Sequence, residues 1–240
     1  RLSLLGVSDA VRDDIRRCLP SWPAARIQTL YNRIDVQALQ AQPGSRDDAR
    51  DALGLSPGEG VVGNVGRLHP DKDQATLLKG FALALAQLPV ESRLAILGTG
   101  RLEQDLKELA RELGIADKVL FLGQVPEARR YFRAFDVFAL SSDHEPFGMV
   151  LLEAMAAGVP LLATACGGAR EVVEGVGILF PFGDAEHLAQ GLCHLAAMDP
   201  HQQHQCAELM LERLHARFSD QAVRDTFWQL PHVIELTARA

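Results

Sequence analysis

Several things are scarce in this sequence, and each shortage excludes something. Only four cysteines occur (Cys18, Cys166, Cys193, Cys206). They form no Cys-x-x-Cys pair and are too few for a disulfide framework, so a reducing cytoplasm is the expected compartment. Aromatic residues make up 6% of the chain, which argues against a carbohydrate site built from stacked tryptophans. No apolar run approaches the roughly 20 residues needed to cross a bilayer. The opening Arg1-Leu2-Ser3 soon meets Asp13, Asp14, Arg16 and Arg17, which is not a signal peptide. An initiator Met is missing, and we read that as the mark of a fragment or a processed chain. Basic residues are outnumbered, 24 Lys and Arg against 31 Asp and Glu, for a net charge of −7. A general nucleic-acid binder needs a basic face, so any polyanionic ligand here must be held by a local cluster. What is present in quantity is apolar: 48% hydrophobic against 23% charged over 240 residues. That suffices for a real core and for one to two domains.

From Val61 onward, strand-like and helix-like segments alternate. Val61 to Gly66 reads as a buried strand and Asp73 to Leu88 as a helix ended by Pro89. The alternation continues with a strand at Arg93–Leu97, a helix at Leu102–Leu113 and a strand at Lys118–Leu122. A short helix at Glu127–Phe135 and a strand at Asp136–Leu140 follow, then a helix at Gly148–Ala157 and a strand at Val159–Ala163. A helical turn at Glu171–Glu174 and a last strand at Gly177–Phe180 complete the pattern. The strands are apolar without polar alternation, as strands covered on both faces are. The expected fold is α/β, a doubly wound parallel sheet of Rossmann-like type. Residues 1–60 differ, with a helix at Asp9–Arg17, a strand at Arg26–Leu30 and a Pro/Gly-containing connection. They read as the tail of a preceding unit plus a linker, and residues 184–240 as mostly helix.

Ligands of open parallel sheets bind outside the carboxyl ends of the strands, so the loops there matter most. After the first strand, Gly66-Arg67-Leu68-His69-Pro70-Asp71-Lys72-Asp73 places Arg67 and Lys72 near a helix amino end. Such an end favours an anion; an ordinary solvated loop explains the same residues. Asp71-Lys72-Asp73 also has the form of an Asp-x-Asp metal site, though Asp at a helix start is expected on electrostatic grounds alone. Gly98-Thr99-Gly100 follows a strand and opens a helix. It is half of a dinucleotide fingerprint, lacking the third glycine and the acidic ribose clamp. It fits a ligand's close approach to the backbone better than NAD.

The most informative loop is Ser141 to Gly148, leading into Met149, Val150, Leu151, Leu152 and Glu153. Glu153 lies about 7.5 Å into a helix that starts near Gly148. A carboxylate on so apolar a helix either faces solvent or accepts hydrogen bonds from a hydroxylated ligand. The free amides of Gly148 to Leu151 leave the same helix end toward an anion. Two carboxylates beside an amide nest suit a ligand bearing sugar hydroxyls and phosphate; a helix-capping Glu145 and an exposed Glu153 are the plain structural alternative. The cluster Cys193, His194, His201, His204 and Cys206 matches no zinc-finger spacing and reads as two exposed helices joined at Asp199-Pro200.

Glu145-Pro-Phe-Gly with Glu153 eight positions on, then Gly158-Val-Pro160 and Gly167-Gly168, resembles the E-x7-E motif of retaining glycosyltransferases of the GT-B fold, family four. Gly66-Arg67-Leu68 with Lys72 resembles that family's diphosphate clamp, and Gly98-Thr99-Gly100 its Gly-x-Gly turn. Phe121 to Val125 is similar to its base-binding segment, and Tyr31-Asn32-Arg33-Ile34-Asp35 to its interdomain linker, with Arg33 where the family usually has Gly. The resemblance covers about residues 8–235.

It implies the C-terminal, donor-binding half of a GT-B fold. Residues 1–60 would be the remnant of an N-terminal domain plus linker, 61–215 the nucleotide-sugar-binding domain, and 216–240 a C-terminal crossover helix. By resemblance, Arg67 and Lys72 neutralise the diphosphate in place of a metal, so no metal or other cofactor is expected. Glu145 would bind donor-sugar hydroxyls, Phe147 would border the donor in the same loop, and the amides of Gly148, Met149 and Val150 would contact sugar and phosphate. Gly98 and Gly100 would border the nucleotide, Glu153 would hold the ribose, and Val125 would bind the base through its backbone. The implied reaction moves a hexose from a nucleotide-diphosphate sugar to a glycan or lipid-linked acceptor, such as lipopolysaccharide or another bacterial surface polysaccharide. The implied setting is cytoplasmic or peripheral at the inner membrane, with no nucleic acid involved. Two competitors are a nucleotide-sugar 2-epimerase, which shares the two-domain fold, and a non-catalytic nucleotide-sugar-binding module. The family's glycine-rich loop and catalytic-site His do not precede Val61, so donor binding without turnover is expected of these 240 residues alone.

Overall fold

The computed structural model describes residues 2–237; the last three positions of the expected crossover helix lie outside them. In chain order the elements begin with β1 (Leu4–Gly6), α1 (Asp9–Cys18), β2 (Ile27–Thr29), α2 (Val36–Gln40) and α3 (Arg46–Ala52). Next come β3 (Gly60–Val65), α4 (Gln74–Ala84), β4 (Ser92–Leu97), α5 (Glu103–Glu112) and β5 (Val119–Phe121). They are followed by β6 (Val137–Leu140), α6 (Met149–Ala156), β7 (Leu161–Thr164), α7 (Gly167–Val173) and β8 (Ile178–Phe180). Helices α8 (Ala185–Ala196), α9 (Pro200–Arg213), α10 (Asp220–Gln229) and α11 (Pro231–Thr237) complete the chain.

Strands β3 to β8 form one parallel sheet in the order β5-β4-β3-β6-β7-β8. All four residues of β6 and of β7 are buried, because helices cover both faces and leave no side for polar alternation. On one face Leu77, Leu78 and Phe81 of α4 pack with Leu188 and Leu192 of α8. On the other, Leu151, Leu152 and Met155 of α6 pack with Val172 of α7 and Met210 of α9. Side-chain caps set the helix starts: Ser8 for α1, Asp184 for α8, Asp199 for α9 and Ser219 for α10.

Residues 1–60 hold more structure than a tail and linker. Strands β1 and β2 pair in parallel as a small second sheet. The segment read as a connection contains α2 and α3, the latter started by a Ser45–Asp48 capping box. Arg50 of α3 is fully buried; it donates to the carbonyls of Ala134, Ser56 and Pro57 and pairs with Asp136 at 2.9 Å. Four acceptors around one guanidinium make that burial tolerable. The stretch expected as a helix from Glu127 is a tighter 3-10 segment, Ala128–Ala134. The turn expected at Glu171–Glu174 is the end of a longer helix, α7.

Candidate functional site

The chain runs outward from β3 to β5 on one side and from β6 to β8 on the other, so the loops after β3 and β6 diverge and leave a crevice. Lys72 comes from the first loop and Glu145 from the second, and Lys72 Nζ lies 2.6 Å from Glu145 Oε2. Their side chains are 17% and 11% exposed, so each charge relies on the other for solvation. The two loops are also joined directly. Ser141 Oγ donates to the Lys72 carbonyl at 2.9 Å, and the Asp143 amide donates to the Asp71 carbonyl at 2.9 Å. Ser142 Oγ reaches Glu145 Oε2 at 3.4 Å, and the Gly168 amide holds the Glu145 carbonyl at 2.8 Å.

Glu145 is therefore not a helix cap. The residue in that position is Gly148, at φ +92°, and α6 has no side-chain cap. The amides of Gly148, Met149 and Val150 consequently donate to no group among the described residues. They form a cluster of free N–H groups at a helix amino end, beside the Lys72–Glu145 pair. Phe147 does not join them through its side chain. Its ring is 2% exposed and packs with Tyr31 (centroids 6.0 Å apart) and Phe218 (5.6 Å). Any ligand contact at Phe147 is thus left to the main chain.

Arg67 has a 74% exposed side chain and, among the described residues, one weak polar contact, Asp71 at 3.5 Å, so its guanidinium is available to a ligand. The backbone beneath it is fixed by the buried Gln74, whose Nε2 donates to the Arg67 carbonyl at 2.9 Å. Arg67 borders a cleft of about 310 Å³ together with Gly98, Thr99, Gln124, Val125 and Ala128. Gly98 and Gly100 serve another backbone first. A Cβ on Gly98 (φ +145°) would stand 1.9 Å from the Gly66 carbonyl oxygen, and one on Gly100 would stand 2.2 Å from that of Leu68. The close approach anticipated for a ligand is made by the β3 loop itself. Glu153 is half-buried on α6; burial pushes its carboxyl up, partly countered by Arg129. It is not exposed, and among the described residues it has no ion-pair partner.

The Asp71-Lys72-Asp73 tripeptide does not converge. Burial acts to raise the Asp71 carboxyl, but the hydrogen bond from His69, with Lys72 and Arg67 nearby, holds it below the usual carboxylate range. Asp73 sits at φ +42° and receives the Thr76 amide at the start of α4. In the C-terminal cluster, Cys193 points to the Ala84 carbonyl and Cys206 to that of Val176, while His204 pairs with Glu208.

Two contributors escaped the sequence reading. Ser8 is fully buried and donates to the Pro146 carbonyl at 2.7 Å; Glu171 of α7 accepts the amides of Asp9 and Ala10. A Ser before an amphipathic helix signals a cap, but nothing in sequence signals its second bond. A separate cleft of about 280 Å³, lined by Arg46, Glu59, Gly60, Ser92 and Asp136, lies at the amino ends of the strands, away from this site.

Sheet order and crevice together define a doubly wound, Rossmann-like domain, and it matches the corresponding domain of GT-B glycosyltransferases. The sequence profile of glycosyl transferases group 1 matches residues 45–208, and the chain belongs to that family. It is similar to D-inositol 3-phosphate glycosyltransferase from Rhodococcus erythropolis, 41% identical over 172 residues, 66% of this chain and 37% of that protein. It is also similar to the lipopolysaccharide core biosynthesis glycosyltransferase LpsE of Rhizobium meliloti, 35% identical over 71% of this chain and 49% of that protein. Among solved structures, Anabaena HepE in complex with UDP and glucose superposes with a TM-score of 0.81 at 27% identity, over 94% of this chain and 61% of that one. The chain spans less than half the length of these curated relatives.

Proposed function

We propose that this chain is the donor-binding half of a retaining glycosyltransferase that transfers a hexose from a nucleotide-diphosphate sugar to a glycan or lipid-linked acceptor. The observation that carries the reading is the Lys72–Glu145 contact at the crevice, set beside the unpartnered amides of Gly148, Met149 and Val150. In this assignment the diphosphate lies between Arg67, Lys72 and the α6 amino end. Glu145 accepts from the donor sugar's hydroxyls, Glu153 from the ribose, and the Val125 main chain borders the base in the cleft that Gly98 lines.

The chemistry follows from charge. As the bond from the anomeric carbon to the phosphate oxygen breaks, positive charge builds on the sugar and negative charge on the departing phosphate. Fixed cations and oriented amides at that oxygen stabilise the transition state more than the ground state. We assign the neutralisation of the leaving group to these cations, in the role a metal would otherwise fill. The acceptor we infer is lipopolysaccharide or a similar surface polysaccharide, in keeping with the name of the LpsE relative. We place the reaction in the cytoplasm, with attachment to the inner membrane peripheral; no helix among the described residues is long and apolar enough to cross a membrane.

The test is calorimetric titration of the chain with UDP, GDP and ADP in EDTA. One of them should bind with a micromolar to low-millimolar constant and should need no divalent cation. Failure of all three to bind would overturn the assignment.

A further inference from the structure

The Glu145–Gly148 loop is held from two sides, by the Lys72 loop and by Ser8 at the start of α1. Ser8 is at 0% exposure, caps α1 by accepting the Val11 amide at 3.1 Å, and donates its own proton to the Pro146 carbonyl at 2.7 Å. One side chain thus joins the start of α1 to the residue next to Glu145. What holds the start of α1 in place comes from α7. Glu171 accepts the amides of Asp9 and Ala10, at 2.9 and 2.8 Å, one on each carboxylate oxygen. These amides are first-turn donors with no partner inside α1, so a carboxylate there satisfies both and complements the helix dipole. Tyr31 donates its hydroxyl to Glu171 Oε2 at 3.1 Å and receives Arg217 at 2.8 Å. Its ring meets Phe147 and Phe218, the latter at 5.4 Å. The chain from Glu171 therefore runs through the α1 amino end to Ser8, and from Ser8 to Pro146.

We propose that Glu171 is a positioning residue for donor binding: it fixes the amino end of α1 so that Ser8 holds the Pro146 carbonyl, and with it the Glu145 carboxylate and the Gly148–Val150 amides, in the geometry that receives the donor. The proposal rests on the donor-site reading above. It adds that residues before Asn32 shape the site without touching the ligand. A carboxylate suits the task because only a two-oxygen acceptor can take both amides in parallel.

Ser8→Ala, Glu171→Ala and the double variant should be compared by calorimetry with UDP, GDP and ADP. Amide hydrogen exchange of Asp143 and Leu151, which donate to the Asp71 and Gly148 carbonyls, provides the second readout. Each single variant is expected to weaken the bound nucleotide about tenfold, the equivalent of one hydrogen bond, and to speed exchange at Leu151. The double variant should be no weaker than the worse single one, since both act through one contact. Glu171→Gln, which keeps one acceptor oxygen, should recover part of the loss. Additive losses, or a lowered melting midpoint with unchanged nucleotide affinity and Leu151 exchange, would overturn the proposal. If the unaltered chain binds no nucleotide, the donor-site reading fails, while exchange at Leu151 still reports whether Glu171 and Ser8 set the loop.

Discussion

Lys72 Nζ and Glu145 Oε2 meet at 2.6 Å across the point where the strand order reverses, so one ion pair joins the loops that follow β3 and β6. Removing one partner leaves the other charge poorly solvated, whereas replacing both removes the problem. Lys72→Met and Glu145→Gln are each expected to lower stability by about 1–3 kcal/mol, and the double variant by much less. Nucleotide binding should not recover in the double variant, because the diphosphate still lacks its cation. Urea denaturation beside calorimetry separates the two quantities.

Arg67 offers the opposite case. With 74% of its side chain exposed and one contact at 3.5 Å, it contributes little to the fold. Arg67→Ala should leave the unfolding free energy within about 0.5 kcal/mol of the parent. The same change should weaken nucleoside diphosphate by about 1.5–3 kcal/mol, the scale of a hydrogen bond to a charged group. The loss should shrink as salt is raised.

Gly98→Ala tests the backbone approach rather than the ligand. Its Cβ would fall 1.9 Å from the Gly66 carbonyl oxygen at a φ of +145°, so strands β3 and β4 would have to part at their carboxyl ends. A cost above about 3 kcal/mol is expected, visible as a large fall in the urea midpoint before any nucleotide is added.

Glu153 links stability to pH. Burial raises its folded-state carboxyl above the unfolded value, with Arg129 opposing in part. The folded chain thus holds that proton more tightly, and stability from this group is full at low pH and lost as pH rises through the folded value. Glu153→Gln should therefore raise the melting midpoint at pH 7. The gain should fade below about pH 4, where both states are protonated. The same variant should bind nucleotide more weakly, if the ribose rests on that carboxylate. Thermal scans across pH check the first part and titration the second.

The sheet was legible because β6 and β7 are buried on both faces and so read as unbroken apolar runs. Lys72 and Glu145 were legible too, since each sits in a loop after a strand that the apolar pattern had already located. Helices α2 and α3 were not, being five and seven residues long and stabilised by contacts such as Arg50 with Asp136, 86 positions away. Gly98 was read as room for a ligand, while the neighbour that needs the room is Gly66, on an adjacent strand's loop. Glu171 left no local trace: its partners Asp9 and Ala10 lie 162 and 161 positions earlier. Local pattern reveals elements and their caps, whereas bonds between distant loops appear only once the sheet has brought them together.

The most direct measurement is a crystal structure of the chain with whichever of UDP, GDP and ADP binds most tightly. The diphosphate is expected within hydrogen-bond distance of the Gly148–Val150 amides, with Arg67 and Lys72 turned onto it and the base beside Val125. Diphosphate density elsewhere, for instance in the cleft between Glu59 and Asp136 at the amino ends of the strands, would contradict the assignment of the switch-point crevice as the donor site.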